Sequence, residues 1–286
     1  MDRREFLKSA GVVAALNVIS LGDYFPWAGM LNAYSATPDS PVWVPDKAIK
    51  DRLMKTRLFD RHFRDDTMLP GPEMVLLKSC LERMKRLQRL IGYGNFCLAG
   101  FDETLAYARS YSRVGRFTGP ELEFLEKIFY SPARSYGFMG EKPISEMTAS
   151  INRKKTRKMA GTGNYLYRGK PTQMYLDIQK QIGRDVVLTS GIRGVMKQFL
   201  LFLNKTQASR GNLSMASRSL APPGYSFHGI GDFDVGKKGF GIDNFTEKFT
   251  QTRVYNQLSD LGYIKFRYDR KNDLGVRFEP WHVEVG

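Results

Sequence analysis

GVRFEPWHVEVG, residues 275–286, closes the chain and reads as a final β-strand. It follows a first half that reads as helices, and helices succeeded by late antiparallel strands define an α+β chain. The same stretch carries one of only three histidines, His282, three residues after Glu279 and beside Pro280 and Trp281. On a regular strand, residues three apart face opposite sides, so Glu279 and His282 meet only if the strand bends. Pro280 has no N–H for a ladder and favours such a bend or bulge, with Trp281 packing the far side. The plain alternative is a buried strand that happens to hold a polar residue.

Working back from this end, YIKFRYD alternates, with Ile264, Phe266 and Tyr268 on one face, and a turn at 271–273 joins it to the closing strand. TQTRVYNQLSDLGY reads as a helix, VMKQFLLFLNK as another, and DVVLTSG as a short buried strand. KPTQMYLDIQKQIG is a helix with Met174, Ile178 and Ile182 on one side and Gly183 at its end. Before it, the polar, Gly- and Lys-rich ASINRKKTRKMAGTGNY reads as a linker or surface loop. Residues 45–145 are helical in pattern. GPEMVLLKSCLERMKRLQRLIGYG opens at Pro72 and closes at Gly92 around a stripe of Leu77, Leu81, Met84, Leu87 and Ile91. A second helix runs from a cap at Asp102 to Gly115. A third opens with a Thr118–Glu121 capping box and carries Leu122, Leu125 and Phe129.

The 286 residues, 42% of them hydrophobic, suffice for a substantial core. A net charge of +15 favours polyanionic partners of any kind. The basic residues are scattered, apart from NRKKTRK at 152–158, which fits a solvated surface better than a nucleic-acid groove, and no nucleic-acid partner is expected. Cys80 and Cys97 lack metal-ligand spacing. Cys80 lies in an apolar helical pattern and reads as a buried thiol, while a disulfide between the two stays open. His62, among charges, reads as a surface residue.

The opening MDRREFLKSAGVVAALNVISLG has a charged start and a mildly apolar run too short to span a bilayer. Arg3-Arg4 followed by Phe6-Leu7-Lys8 is similar to a twin-arginine export signal, with small residues at Ala33 and Ser35 for cleavage. The expectation is an export segment over 1–35 handled by the twin-arginine machinery, and a mature protein in the periplasm or cell envelope without a stable membrane span. A helical region over 36–160 and a catalytic domain over 161–286 follow it.

Three short blocks then stand out in order: TSGIRG at 189–194, APPGYSFHGIGDFDVG at 221–236 and FEPWH at 278–282. Together they resemble the zinc D-alanyl-D-alanine carboxypeptidases of the vancomycin-resistance type, within the wider hedgehog/DD-peptidase-like group. That pattern is S-G-x-R, then S-x-H-x-x-G-x-A-x-D, then E-P-W-H. The resemblance covers about residues 160–286. It implies a small antiparallel sheet flanked by helices, a bound Zn2+, and cleavage of peptidoglycan stem peptides by removal of a terminal D-alanine.

Carried onto this chain, His228, Asp234 and His282 are the implied zinc ligands, a set that leaves one position for water. Glu279 is the implied proton shuttle. Arg193 would stabilise charge on the substrate, since guanidinium binds oxyanions as a fork. Ser226 would hold the substrate backbone or orient His228, with a turn residue as the plain reading. Gln198 either faces the substrate or sits on the polar side of its helix. The chain departs from the pattern in spacing: His228 and Asp234 are six apart instead of seven, and Phe233 replaces Ala. Asp232 is therefore a competing carboxylate, and strand parity does not separate it from Asp234, although Asp-Val favours the latter. The shortened spacing and the charge also fit a second class, a non-catalytic protein that keeps the fold and binds cell wall or other polyanions.

Overall fold

The computed structural model describes residues 46–263 and 267–285. The expected export segment, and Ile264 and Phe266 of the expected alternating strand, lie outside them. Five helices build the first part: α1 (Asp46–Arg57), α2 (Gly71–Ile91), α3 (Tyr93–Phe96), α4 (Phe101–Ser110) and α5 (Gly119–Tyr130). Leu77, Leu81, Met84 and Leu87 on α2 are buried, as the stripe predicts, with Cys80 among them, while Ile91 at its end is half-buried; Pro72 sits in the first turn where its missing N–H costs nothing. Each such large apolar side chain contributes about 1.5–3 kcal/mol on burial. α5 has the expected capping box: Thr118 Oγ1 accepts from the Glu121 N–H, and the Glu121 carboxylate accepts from Thr118 N. α4 differs from expectation at both ends. It starts at Phe101 with Gly100 in the cap position, and it stops at Ser110 because Tyr111, Ser112 and Arg113 are exposed and offer no further apolar stripe.

The basic passage expected as a loop contains a hairpin, β1 (Thr156–Lys158) with β2 (Tyr165–Tyr167), paired antiparallel. α6 (Lys170–Ile182) then leads to β3 (Val186–Ser190), α7 (Val195–Ala208) and α8 (Leu213–Ser217). β4 (Phe233–Lys237), α9 (Arg253–Asp260) and β5 (His282–Val283) complete the described elements. The sheet is antiparallel in the order β3-β4-β5. The fold is α+β as expected, although the closing strand is only two residues long, and the described residues 267–271 form turns.

Residues 45–286 form one unit with two main apolar cores. One packs α2, α4 and α5 against α7 and α8, with Phe199, Phe202 and Leu203 of α7 fully buried inside it. The other lies between the sheet, α6 and α9, and contains Phe233, Val235, Trp281 and Val283. α7 thus belongs to the helical core, although it follows β3 directly. Cys80 and Cys97 are both free and buried. Among the described residues, no helix is long and apolar enough to cross a membrane.

Candidate metal centre

Asp234 sits in β4 and pairs across the ladder with His282, the first residue of β5. Ser190 of β3 is its neighbour on the other side, at a register shift between Leu188 and Ser190. The bend expected at Pro280 is present as a turn in which the His282 N–H donates to the Glu279 carbonyl at 3.2 Å. That turn brings the Glu279 carboxylate within 3.9 Å of His282 Nδ1. Trp281 is buried behind it, edge-on to Phe245 at 5.9 Å.

His228 does not lie on a strand. It occupies a 3₁₀ turn, Phe227–Gly229, so strand parity says nothing about its direction. Its Nδ1 lies 2.9 Å from the carbonyl of Gly191. A carbonyl only accepts, so Nδ1 carries the proton and Nε2 is left bare. Gly191 is needed there: a Cβ would stand 2.1 Å from the Tyr165 carbonyl oxygen. His282 is oriented by the opposite nitrogen. Its Nε2 donates to Asp232 Oδ2 at 2.9 Å, leaving Nδ1 toward Asp234.

His228 Nε2 lies 3.1 Å and His282 Nδ1 3.3 Å from the same oxygen, Asp234 Oδ1. The three ligand atoms fall within 4.8 Å of one another, and all three residues are buried. Burial, helped by the Arg193 charge, pushes the His228 pKa down, so its Nε2 presents a lone pair to a carboxylate oxygen. Two acceptors facing each other in a dry site repel unless a cation stands between them. His282 Nδ1 is buried without a well-formed hydrogen bond among the described residues. Bonds of about 2.0–2.1 Å at a tetrahedral centre set ligand atoms roughly 3.3 Å apart, close to the observed separations. The donor set therefore fits a divalent ion.

Charge around the group is sharply divided. Asp234 is buried, which alone would raise its pKa, but the Arg193 charge and the hydrogen bond from His282 hold it well below the usual carboxylate range. Its second oxygen, Oδ2, is bound by Arg193 Nη2, and Arg193 Nε donates to Ser190 Oγ at 2.9 Å. Asp232 is also buried, yet contacts from His282, Val285 N and Arg267 lower it to about 2. Burial opposes protonation of His282, but the two aspartates outweigh it and raise its pKa to about 9 in the metal-free protein. Glu279 is pushed up, first by burial and then by Asp234.

Arg193, Asp234, Glu279 and Trp281 line a cavity of about 560 Å³, a size suited to a small peptide. Tyr93 of α3 and Asn164 beside β2 also line it. Gln198 and Ser226 are not among the lining residues. Gln198, one of whose readings was substrate-facing, is a brace: its Nε2 donates to the Arg193 carbonyl and its Oε1 accepts from Gly224 N, both at 2.8 Å. Ser226 is buried at the start of the His228 turn. Asp232, expected only as a rival to Asp234, instead accepts from His282 Nε2. Its place behind His282 was signalled by nothing but its proximity to the motif. His62 is exposed, as expected, with Nδ1 3.0 Å from Asn212 Nδ2.

An antiparallel sheet that presents a buried His–Asp–His group beside a glutamate defines a candidate hydrolytic metal centre. Residues 170–285 match the family model VanY, D-alanyl-D-alanine carboxypeptidase, and the resemblance carried by the three sequence blocks holds over this segment. No curated protein matches the chain. Among solved structures, it is similar to the vancomycin-resistance D,D-pentapeptidase VanY of the VanB-type cassette in complex with Zn(II), at 22% identity, covering 53% of this chain and 89% of that one, TM-score 0.40. It is also similar to VanYB in complex with D-alanine-D-alanine, at 21% identity, covering 53% and 86%, TM-score 0.40. A third is the LdcB LD-carboxypeptidase, described with peptidoglycan recognition, at 20% identity, covering 52% and 67%, TM-score 0.37.

Proposed function

We propose that the chain is an exported zinc peptidase that removes a terminal D-alanine from peptidoglycan stem peptides. The observation that carries this reading is the convergence of His228 Nε2, His282 Nδ1 and Asp234 Oδ1 next to the buried carboxylate of Glu279. The family match over residues 170–285 supports the reaction class. His228, Asp234 and His282 would hold the ion. When bound, zinc supplies Lewis acidity and lowers the pKa of water toward about 7.

The chain's own residues account for the rest. Glu279, whose pKa is raised by burial, takes a proton from the attacking water and delivers it to the amine as the C–N bond breaks. The products are a shortened peptide carboxylate and free D-alanine. Arg193, held by Ser190 and Asp234, keeps a fixed positive charge at the cavity wall where the carbonyl oxygen becomes negative. Gly191 and Asp232 hold the two imidazoles in orientation, and loading displaces the proton that His282 Nδ1 carries in the metal-free protein. Residues 1–35 would direct export, and work in the envelope would follow.

Metal content of purified chain, with mass spectrometry of a D-Ala-D-Ala-terminated peptide after incubation, tests the reading. One zinc per chain and chelator-sensitive release of D-alanine are expected. Peptide binding that survives chelator with no cleavage product would overturn it in favour of a non-catalytic cell-wall binder.

A further inference from the structure

Four cations, Arg193, Lys197, Lys205 and Arg277, line the cavity, against two carboxylates, Asp234 and Glu279, that both belong to the metal group. Arg193 is engaged by Asp234. Among the described residues, Lys197, Lys205 and Arg277 form no ion pair. Arg277 is held between two aromatic faces, with Phe59 at 4.7 Å and Trp281 at 4.9 Å from its guanidinium carbon. Its Nε is buried without a hydrogen-bond partner. Burial depresses the pKa of Lys197, Lys205 and Arg277 alike, so their charges stand in a poorly solvated setting that an anion would relieve.

The placement of these charges is specific. Lys197 and Lys205 lie eight residues apart on α7, on either side of cavity-lining Leu201. At 1.5 Å per residue their backbone positions are separated by about 12 Å along the helix. Lys197 neighbours Arg193, while Lys205 neighbours Arg277. The cavity thus has two basic poles, and each borders the metal group, one through Arg193 and the other through Arg277, which feels Glu279 and Asp234. An extended peptide advances about 3.3–3.6 Å per residue, so about 12 Å corresponds to three or four residues.

We propose that the cavity selects diacidic peptides, with the Lys197 pole taking the terminal carboxylate and the Lys205–Arg277 pole taking an acidic side chain three or four residues upstream. This rests on the peptidase reading for its orientation, because a carboxypeptidase cuts one residue from the terminal carboxylate and that group must lie near the metal.

Titration calorimetry on the full metal-free chain, which cannot turn the peptide over, reads the two poles directly. The probes are a D-Ala-D-Ala-terminated peptide with glutamate three positions before the terminal residue, its C-terminal carboxamide twin, and its glutamine twin. Each twin is expected to bind about tenfold more weakly than the diacid. Lys197→Gln should erase the acid-over-carboxamide preference and Lys205→Gln the glutamate-over-glutamine preference, with Lys→Arg at either position restoring it. Equal binding of all three probes, or preferences that survive both substitutions, would overturn the two-pole subsite. Zinc-loaded chain that binds the diacid selectively yet releases no D-alanine would sink the peptidase reading and keep the subsite. Release of D-alanine with no carboxylate preference would do the reverse.

Discussion

The Asp232 carboxylate accepts a hydrogen bond from Nε2 of His282 at 2.9 Å, and this contact separates the roles of two aspartates only two residues apart. Asp232 Oδ1 accepts from Val285 N at 3.0 Å and Oδ2 also takes Arg267 Nε at 2.9 Å, so the group is spent on holding the imidazole. Asp234 turns its Oδ1 to both histidines.

Asp232→Asn should therefore weaken zinc binding by about 10–100-fold without abolishing it. Asp234→Asn or His282→Ala should leave purified protein without stoichiometric metal. Competition against a chelator of known affinity measures both. Equal losses at positions 232 and 234 would contradict the assignment.

Glu279→Gln keeps the size and polarity of the side chain but removes the proton carrier. Zinc content should be unchanged, and kcat should fall by about 10³-fold. A variant retaining most of its kcat would remove Glu279 from the proton path.

Away from the cavity, Glu121 is buried and accepts from Ser79, Thr118 N and Arg83. Burial alone would raise its pKa, but these contacts outweigh it and the group lies below its ordinary value. A folded pKa below that of the unfolded chain, about 4.3, gives stability that is present above that value and fades as pH falls through the folded one. Glu121→Gln should cost about 2 kcal/mol at neutral pH. In urea unfolding, its deficit against the parent should shrink below about pH 4. A gap that stays constant to acid pH would show that the carboxylate charge contributes nothing.

Gly191→Ala tests the link between scaffold and centre. The added methyl would meet the Tyr165 carbonyl, so the loop must move and carry away the acceptor that orients His228. A loss of about 1–3 kcal/mol in stability is expected, accompanied by weaker zinc binding. Unchanged affinity would mean that His228 keeps its direction without Gly191.

Much of the centre was legible because its chemistry demands particular residue types in short blocks. His228, Asp234 and His282, far apart in the chain, converge with Glu279 beside them, and a turn at Pro280 supplies the bend that a straight strand lacks. Local signals also served α2 and α5, whose apolar stripes and caps act within a few residues. The β1–β2 hairpin was hidden because Thr156–Lys158 shows no alternation and leans on tertiary contacts. Gln198 was ambiguous because its two partners, the Arg193 carbonyl and Gly224 N, come from separate loops. Lys197 and Lys205 carry no local signal within their helix, and only the cavity reveals what they border.

α7 is a shared wall. Its phenylalanines anchor it among the first helices, while Lys197 and Lys205 border the cleft. A fragment trimmed to the motif-bearing half would lay Phe199, Phe202 and Leu203 bare to water, inviting aggregation before any chemistry could be assayed. The first helices are thus the foundation on which the cleft is erected, and grafting that cleft elsewhere would require transplanting them too.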